Sequence, residues 1–139
     1  MAGIEKVTAE AGYDLVITHS SESAQKEAAN AKNLFNKRVD GLIASLAFNT
    51  TDLNHYKPYA EKGIPVIFFD RVEQEAEHSV VIIDNARCGY IAIRHLIEQG
   101  CKRIAHITSS LKHNVYAERL NGYKQALHQF KIPFDKKLV

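Results

Sequence analysis

The sequence predicts an α/β protein built on a parallel sheet with flanking helices. Three observations carry that expectation. Continuous apolar runs such as Val66-Ile67-Phe68-Phe69 and Val80-Val81-Ile82-Ile83 have the composition of strands and lack polar alternation. Both runs close on an acid, Asp70 and Asp84. Helical patterns alternate with the runs, and strands buried on both faces that alternate with helices form parallel sheets. Such sheets take ligands at the carboxyl ends of their strands.

Each element has its own local reason. Residues 2–11 read as a helix, with Ile4, Val7, Thr8 and Ala11 at helical spacing and Gly12 as the breaker. Tyr13 to Thr18 is a short β-run. Ser21 or Ser23 then caps a helix reaching about Lys37, with the stripe Ala24, Ala28, Ala31 and Phe35 widened by Leu34. Val39 to Ser45 is the second strand. Thr51 or Asp52 opens a helix that ends near Gly63, and Pro65 begins the third strand at a position that tolerates proline. Residues 71–78 form a polar, acidic connector to the fourth strand, Val80 to Ile83.

Asp84 is placed to cap a helix over 85–99, with Gly89, Ala92, Ile93, Leu96 and Ile97 as its buried stripe and Cys88 also expected inside. Ile104 to Thr108 is the fifth strand, and residues 109–115 are loop. The last helix carries Tyr116, Leu120, Tyr123, Leu127 and Phe130, and Pro133 ends it. Gly89 and Gly122 fall inside helices and read as close-packing points. Leu138-Val139 looks like the first step of another strand. The opening helix lacks the strand that precedes it in a βα unit, so the sequence reads as part of a longer protein.

Composition narrows the function. The 139 residues suit one domain or two very small ones, and 45% hydrophobic with 24% charged residues is ordinary for a soluble globular protein. A formal net charge of +2 gives no argument for nucleic acid or an acidic partner. Lys131, Lys136 and Lys137 read as a solvated face. No apolar run approaches the ~20 residues of a membrane span. The start, Met1-Ala2-Gly3-Ile4-Glu5-Lys6, lacks the regions of a signal peptide. Cys88 and Cys101 form no C-x-x-C pair and read as reduced thiols of a cytoplasmic protein. The histidines form no metal-binding spacing, and there is no G-x-S-x-G, phosphate loop or G-x-G-x-x-G. No catalytic residue, metal or cofactor is expected, and the chain does not read as an enzyme.

Among candidate ligand groups Arg119 stands first. It falls in the first turns of a helix that follows a strand's carboxyl end, where a guanidinium can fork onto paired oxygens. The alternative is a surface ion pair with Glu118. Asp70 ends its strand at the ligand edge and can accept hydrogen bonds from hydroxyls; the alternative is a pair with Arg71 or a turn cap. Asp84 reads as an N-cap before a ligand group. Asn85 is either part of a crossover or a polar first-turn residue.

A longer series of motifs accompanies these residues. It comprises Val39-Asp40-Gly41-Leu42-Ile43, Gly63-Ile64-Pro65-Val66, Phe69-Asp70-Arg71, Val81-Ile82-Ile83-Asp84-Asn85, Gly89-Tyr90, His95-Leu96-Ile97-Glu98-Gln99-Gly100, Arg103-Ile104-Ala105-His106-Ile107 and Glu118-Arg119-Leu120-Asn121-Gly122-Tyr123. In this order and spacing the series resembles the effector-binding domain of LacI/GalR-type transcription regulators over nearly the whole chain.

The resemblance implies a periplasmic-binding-protein-like fold, with two Rossmann-like lobes and a ligand cleft between them, incomplete here at both ends. Residues 1–82 would be part of the first lobe and 83–139 the start of the second, with the crossover at Asp84-Asn85. The resemblance also puts Arg119 in contact with effector. His113 and Val115 match positions that line the effector pocket; the alternative for both is an exposed loop. An apolar Val115 leaves one polar contact fewer, Thr108-Ser109-Ser110 stands where glycines are common, and Cys101 stands where histidine is usual.

The function implied is an effector-sensing module of a cytoplasmic DNA-binding regulator, with a small sugar or related metabolite as effector. DNA would be bound only through a helix-turn-helix outside this sequence. The alternative is a periplasmic-type sugar-binding protein of a transport system. The resemblance further implies a homodimer through the first lobe; the stripe Ala24, Ala28, Ala31 and Phe35 puts the contact mainly in residues 22–37, with 2–11 secondary, and no membrane partner is expected.

Overall fold

A computed structural model describes residues 2–73 and 78–139. Helix α1 (Ala2–Glu10) opens the chain and buries none of its residues. Gly12, at φ 78°, turns the chain out of it. Helix α2 (Ala24–Asn36) starts where Ser23 accepts a hydrogen bond from the Lys26 amide. Strand β1 (Leu42–Ala44) follows, then a 3₁₀ turn (Asn54–Tyr56) that runs into helix α3 (Lys57–Glu61). Asp52 Oδ1 accepts from the Asn54 amide at the entry to that turn. Strands β2 (Val66–Phe69) and β3 (Ser79–Val81), helices α4 (Asn85–Glu98) and α5 (Asn114–Gln129), and a last 3₁₀ turn (Lys136–Leu138) complete the order.

The sheet is parallel, in the order β1-β2-β3. Leu42 pairs with Val66, and Ile67 with Ser79. Central β2 alternates buried Val66 and Phe68 with half-buried Ile67 and Phe69. After β2 the chain leaves the sheet through Arg71, Val72 and Glu73, with Val72 packed against the first core rather than part of a wholly polar connector; residues 74–77 of the expected 71–78 lie outside the described residues.

Two separate hydrophobic cores hold the chain. The first gathers Ala31, Leu46, Tyr56, Tyr59, Val66 and Phe68 from α2, β2 and the 3₁₀–α3 segment. Fully buried Tyr59 donates its hydroxyl to the Ala31 carbonyl at 2.6 Å. The second gathers Ile93, Ile104, Leu120, Tyr123, Ala126 and Leu127 from α4, α5 and the segment between them. There Tyr123 donates its hydroxyl to the Ile104 carbonyl at 3.0 Å. In both cores a buried aromatic ring packs among aliphatic side chains and its hydroxyl is satisfied by a backbone carbonyl.

Several expectations are corrected. Residues 13–18 and 104–108 run as irregular chain, not as strands. Their composition suits a sheet, but a ladder needs a run of paired backbone groups, and among the described residues 104–108 has one such bond, from the His106 amide, and 13–18 pairs with no strand. The side chain of Ile107 is accordingly 98% exposed. Leu138 is in a 3₁₀ turn, though its carbonyl does accept from the His106 amide at 2.7 Å. In α4, Ala92, Leu96 and Cys88 are exposed, and the buried side instead carries Asn85 and Ile93 with half-buried Gly89, Tyr90 and Ile97. Helix α5 starts at Asn114, inside the segment expected to be loop.

Gly89 and Gly122 meet where α4 and α5 cross. A Cβ built at Gly122 would overlap the Ala86 carbonyl oxygen and come within 2.6 Å of the Tyr90 amide. One built at Gly89 would overlap the Arg119 carbonyl oxygen. The two backbones touch directly, as the glycines' positions inside helices predict.

Candidate functional site

The carboxyl ends of the strands lead into two segments, residues 45–50 after β1 and 70–73 after β2. Helix α2 and the turn that precedes it organise the first of these through two carboxylates, Glu27 and Glu22. Glu27 is buried, and its carboxylate accepts from the Ala47 amide, from Thr50 Oγ1 at 3.1 Å and from His55 Nε2 at 2.9 Å. Burial and the adjoining Glu27 charge push the Tyr56 phenol well above its ordinary range.

Glu22 accepts from the Phe48 amide at 3.0 Å and takes Arg71 Nη2 on both oxygens at 2.8 and 2.9 Å. Arg71 Nε donates to the Leu46 carbonyl at 2.7 Å, so one guanidinium ties the two segments together. Desolvation raises the Glu22 carboxyl, but the hydrogen bond and charge of Arg71 and the Phe48 amide outweigh it, and the group lies below its ordinary 4.5.

The predicted residues fall into two groups around these segments. Asp84 caps α4, its Oδ1 accepting from the Arg87 amide at 2.8 Å. Asn85 beside it is 1% exposed, and its Oδ1 accepts from Arg119 Nε at 2.9 Å. Arg119 and Asn85, expected separately as ligand group and crossover residue, are thus bonded to each other.

Asp70 is exposed and holds φ 60°, a left-handed conformation that aspartate tolerates better than most residues. Arg71 is engaged by Glu22, not by Asp70. The Asp70 carbonyl accepts from Asn114 Nδ2 at 3.2 Å. His113 Nε2 bonds the Phe48 carbonyl at 2.9 Å. Val115 is buried at the start of α5.

A cleft of about 440 Å³ opens between the parts built on the two cores. Leu46, Phe48, Asn49, Thr50, Thr51, Asp52, Leu53, Val72 and Glu73 line one side, and Ser110, Lys112 and His113 the other. Of the predicted ligand residues only His113 lines this cleft; Arg119, Asp70 and Val115 stand off its wall. A smaller recess of about 180 Å³ between Val72, His78, Ile82, Asn114 and Glu118 adjoins the same junction.

Sequence reasoning missed Glu22, Glu27, Phe48 and Asn114. One signal was available: Glu27 precedes Ala31 and Leu34 by four and seven residues, so an acid stands on the apolar stripe of its own helix. Glu22, Phe48 and Asn114 carry no local mark, because their partners lie 26 or more residues away.

Comparison with known proteins agrees with this architecture. The family model of periplasmic binding proteins and the sugar-binding domain of the LacI family matches residues 1–139. The HTH-type transcriptional repressor PurR of Klebsiella pneumoniae is 34% identical over 131 residues, covering 93% of this chain and 38% of that protein. The crystal structure of the transcription regulator CcpA of Lactococcus lactis superposes with a TM-score of 0.85 at 28% identity, over 99% of this chain and 50% of that one. The Cra transcriptional dual regulator of Pseudomonas putida, solved in complex with fructose 1-phosphate, gives a TM-score of 0.82 at 25% identity over 93% of this chain and 47% of that one. The chain spans less than half the length of the curated relatives it matches. With a parallel sheet, a cleft between two cores and a match across its whole length, the chain belongs to the family of periplasmic binding proteins and LacI-type sugar-binding domains.

Proposed function

We propose that the chain is the effector-sensing module of a LacI-type transcriptional regulator, taking a small sugar or related metabolite between two lobes. Residues 1–82 contribute to the first lobe and 83–139 to the second, with the crossover at Asp84-Asn85. The division of the buried side chains into two cores, on either side of this boundary, supports that reading.

The observation that carries the proposal is the setting of Arg119. Asn85, itself buried, takes the guanidinium's Nε. Among the described residues no hydrogen bond to its Nη groups competes for them, which leaves them to fork onto vicinal hydroxyls or a phosphate. Of the other expected ligand groups, His113 lines the cleft and Asp70, an exposed carboxylate, stands off its wall. Relatives that include transcriptional repressors favour the regulator over a transport component. DNA contact is assigned to a helix-turn-helix outside this sequence, the assembly to a homodimer, and the location to the cytoplasm.

Calorimetry of the intact parent protein against a panel of sugars and sugar phosphates tests the proposal. Arg119→Ala loses a charge-assisted fork of roughly 1.5–3 kcal/mol, or about tenfold to a hundredfold in affinity. Arg119→Lys recovers only part of this, because an ammonium cannot fork. Unchanged affinity in Arg119→Ala removes Arg119 from the site. A parent that binds no member of the panel overturns the sugar reading.

A further inference from the structure

Two consecutive residues at the start of α5 reach across the cleft. His113 bonds the Phe48 carbonyl after β1. A carbonyl only accepts, so the His113 Nε2 carries the proton of this bond. Asn114 is buried and uses both ends of its amide: Nδ2 donates to the Asp70 carbonyl at 3.2 Å, and Oδ1 accepts from the Val72 amide at 3.3 Å. Residues 113 and 114 thereby engage the segments that follow β1 and β2.

The rings reinforce this bridge. The Phe48 ring packs 4.7 Å from His113 and 6.2 Å from Tyr116, measured between centroids. The receiving side is itself braced, since Glu22 holds the Phe48 amide while Arg71 joins Leu46 to Glu22. Asn114 Oδ1 and Nδ2 pair with the donor and acceptor of one backbone stretch, as a neighbouring strand would, so the contact fixes register as well as distance.

We propose that His113 and Asn114 form a built-in latch that holds the two halves of the molecule in register across the cleft. Asn114 is a positioning residue: its amide is consumed by Asp70 and Val72. His113 shares the latch through the bond of its Nε2 to the Phe48 carbonyl. The latch does not depend on the nature of the effector, and it is testable on the 139-residue chain alone.

The test is a distance measurement between spin labels on Lys62→Cys and native Cys101, in a Cys88→Ser background, with no ligand added. Lys62 follows α3 beside the first core, and Cys101 is an exposed free thiol beyond α4. The unaltered latch gives one narrow distance distribution. Asn114→Leu keeps the volume and removes both bonds, so the distribution broadens or shifts.

Amide exchange supplies the second readout. Loss of one hydrogen bond of about 1 kcal/mol speeds exchange of the Val72 amide about fivefold. Amides of the second core, such as Tyr123, keep their rates. Asn114→Asp retains the acceptor for Val72 and loses the donor to Asp70, so Val72 stays protected while the distances still broaden. If Asn114→Leu fails to fold, the Asp variant and His113→Ala decide. An unchanged distance distribution in the folded variants overturns the latch, whatever the parent binds.

Discussion

Replacing Gly122 by alanine should destabilise the protein, against what helix propensity alone would give. Gly122 lies inside α5, where alanine gains about 1 kcal/mol over glycine. The new methyl, however, would overlap the Ala86 carbonyl oxygen and crowd the Tyr90 amide. Both obstacles are backbone of α4, so no side chain can swing away and only separation of the helices relieves the clash. That separation opens the packing of Ile93, Leu120 and Tyr123 in the second core. Exposing about 100–150 Å² of apolar surface costs roughly 2.5–4 kcal/mol, in line with the overpacking penalty of about 1–3 kcal/mol or somewhat more. Set against the propensity gain, the net loss is about 2 kcal/mol. Urea unfolding followed by circular dichroism should show the midpoint lower by about 1 M with an unchanged slope. Gly3→Ala is the control, because nothing lies within 4 Å of a Cβ there and propensity acts alone. A Gly122→Ala protein as stable as the parent, or more so, would refute direct backbone contact between α4 and α5.

Three further outcomes are expected. Glu27→Ala strands the Ala47 amide, Thr50 and His55, and should lower stability by about 3 kcal/mol; Glu27→Gln, which keeps an acceptor, should lose less in the same urea titration, and equal losses would count against the buried hydrogen bonds. Burial holds the His106 imidazole below its ordinary 6.5, so between that value and the folded one the unfolded chain takes up a proton that the native chain refuses; stability should therefore fall as pH drops below about 6.5, and thermal melts of His106→Gln should show a flatter dependence. The 139-residue chain should show no sequence-selective, salt-sensitive shift of duplex DNA in gels, since it carries a net charge of only +2 and no dense basic stripe.

What could be read before the structure was whatever is local. Ser23 and Asp84 cap their helices and Gly12 breaks α1 because those residues act within a turn or two, while Gly89 and Gly122 are marked by being glycines inside helices, although the crossing they make joins distant parts of the chain. The parallel sheet was legible from the β-runs at Val66 and Val80. Pairing was not, and the strand-like composition of residues 13–18 and 104–108 says nothing about whether a neighbour lies alongside. The site was legible only in part. Arg119 and Asn85 stood out singly, but their bond joins residues 34 apart. Val115 is expected at the pocket wall, and the structure buries it in the first turn of α5, which starts two residues earlier than the pattern indicates.

Strand β3 and the residues after it have a consequence for handling the protein. Val80, Val81, Ile82 and Ile83 are all exposed, Val81 to 65%, and the run contains neither charge nor proline. Short β-branched windows of this kind seed cross-β stacking between molecules when they are presented on a sheet edge. Asp84 closes the run as its nearest gatekeeper, and its carboxylate is already engaged in capping α4. Colloidal behaviour is thus set by a handful of side chains that contribute little to either core. A lysine at Val81 would interrupt the window while leaving both cores intact, and would keep concentrated solutions clear for longer than any change that only raised folding stability.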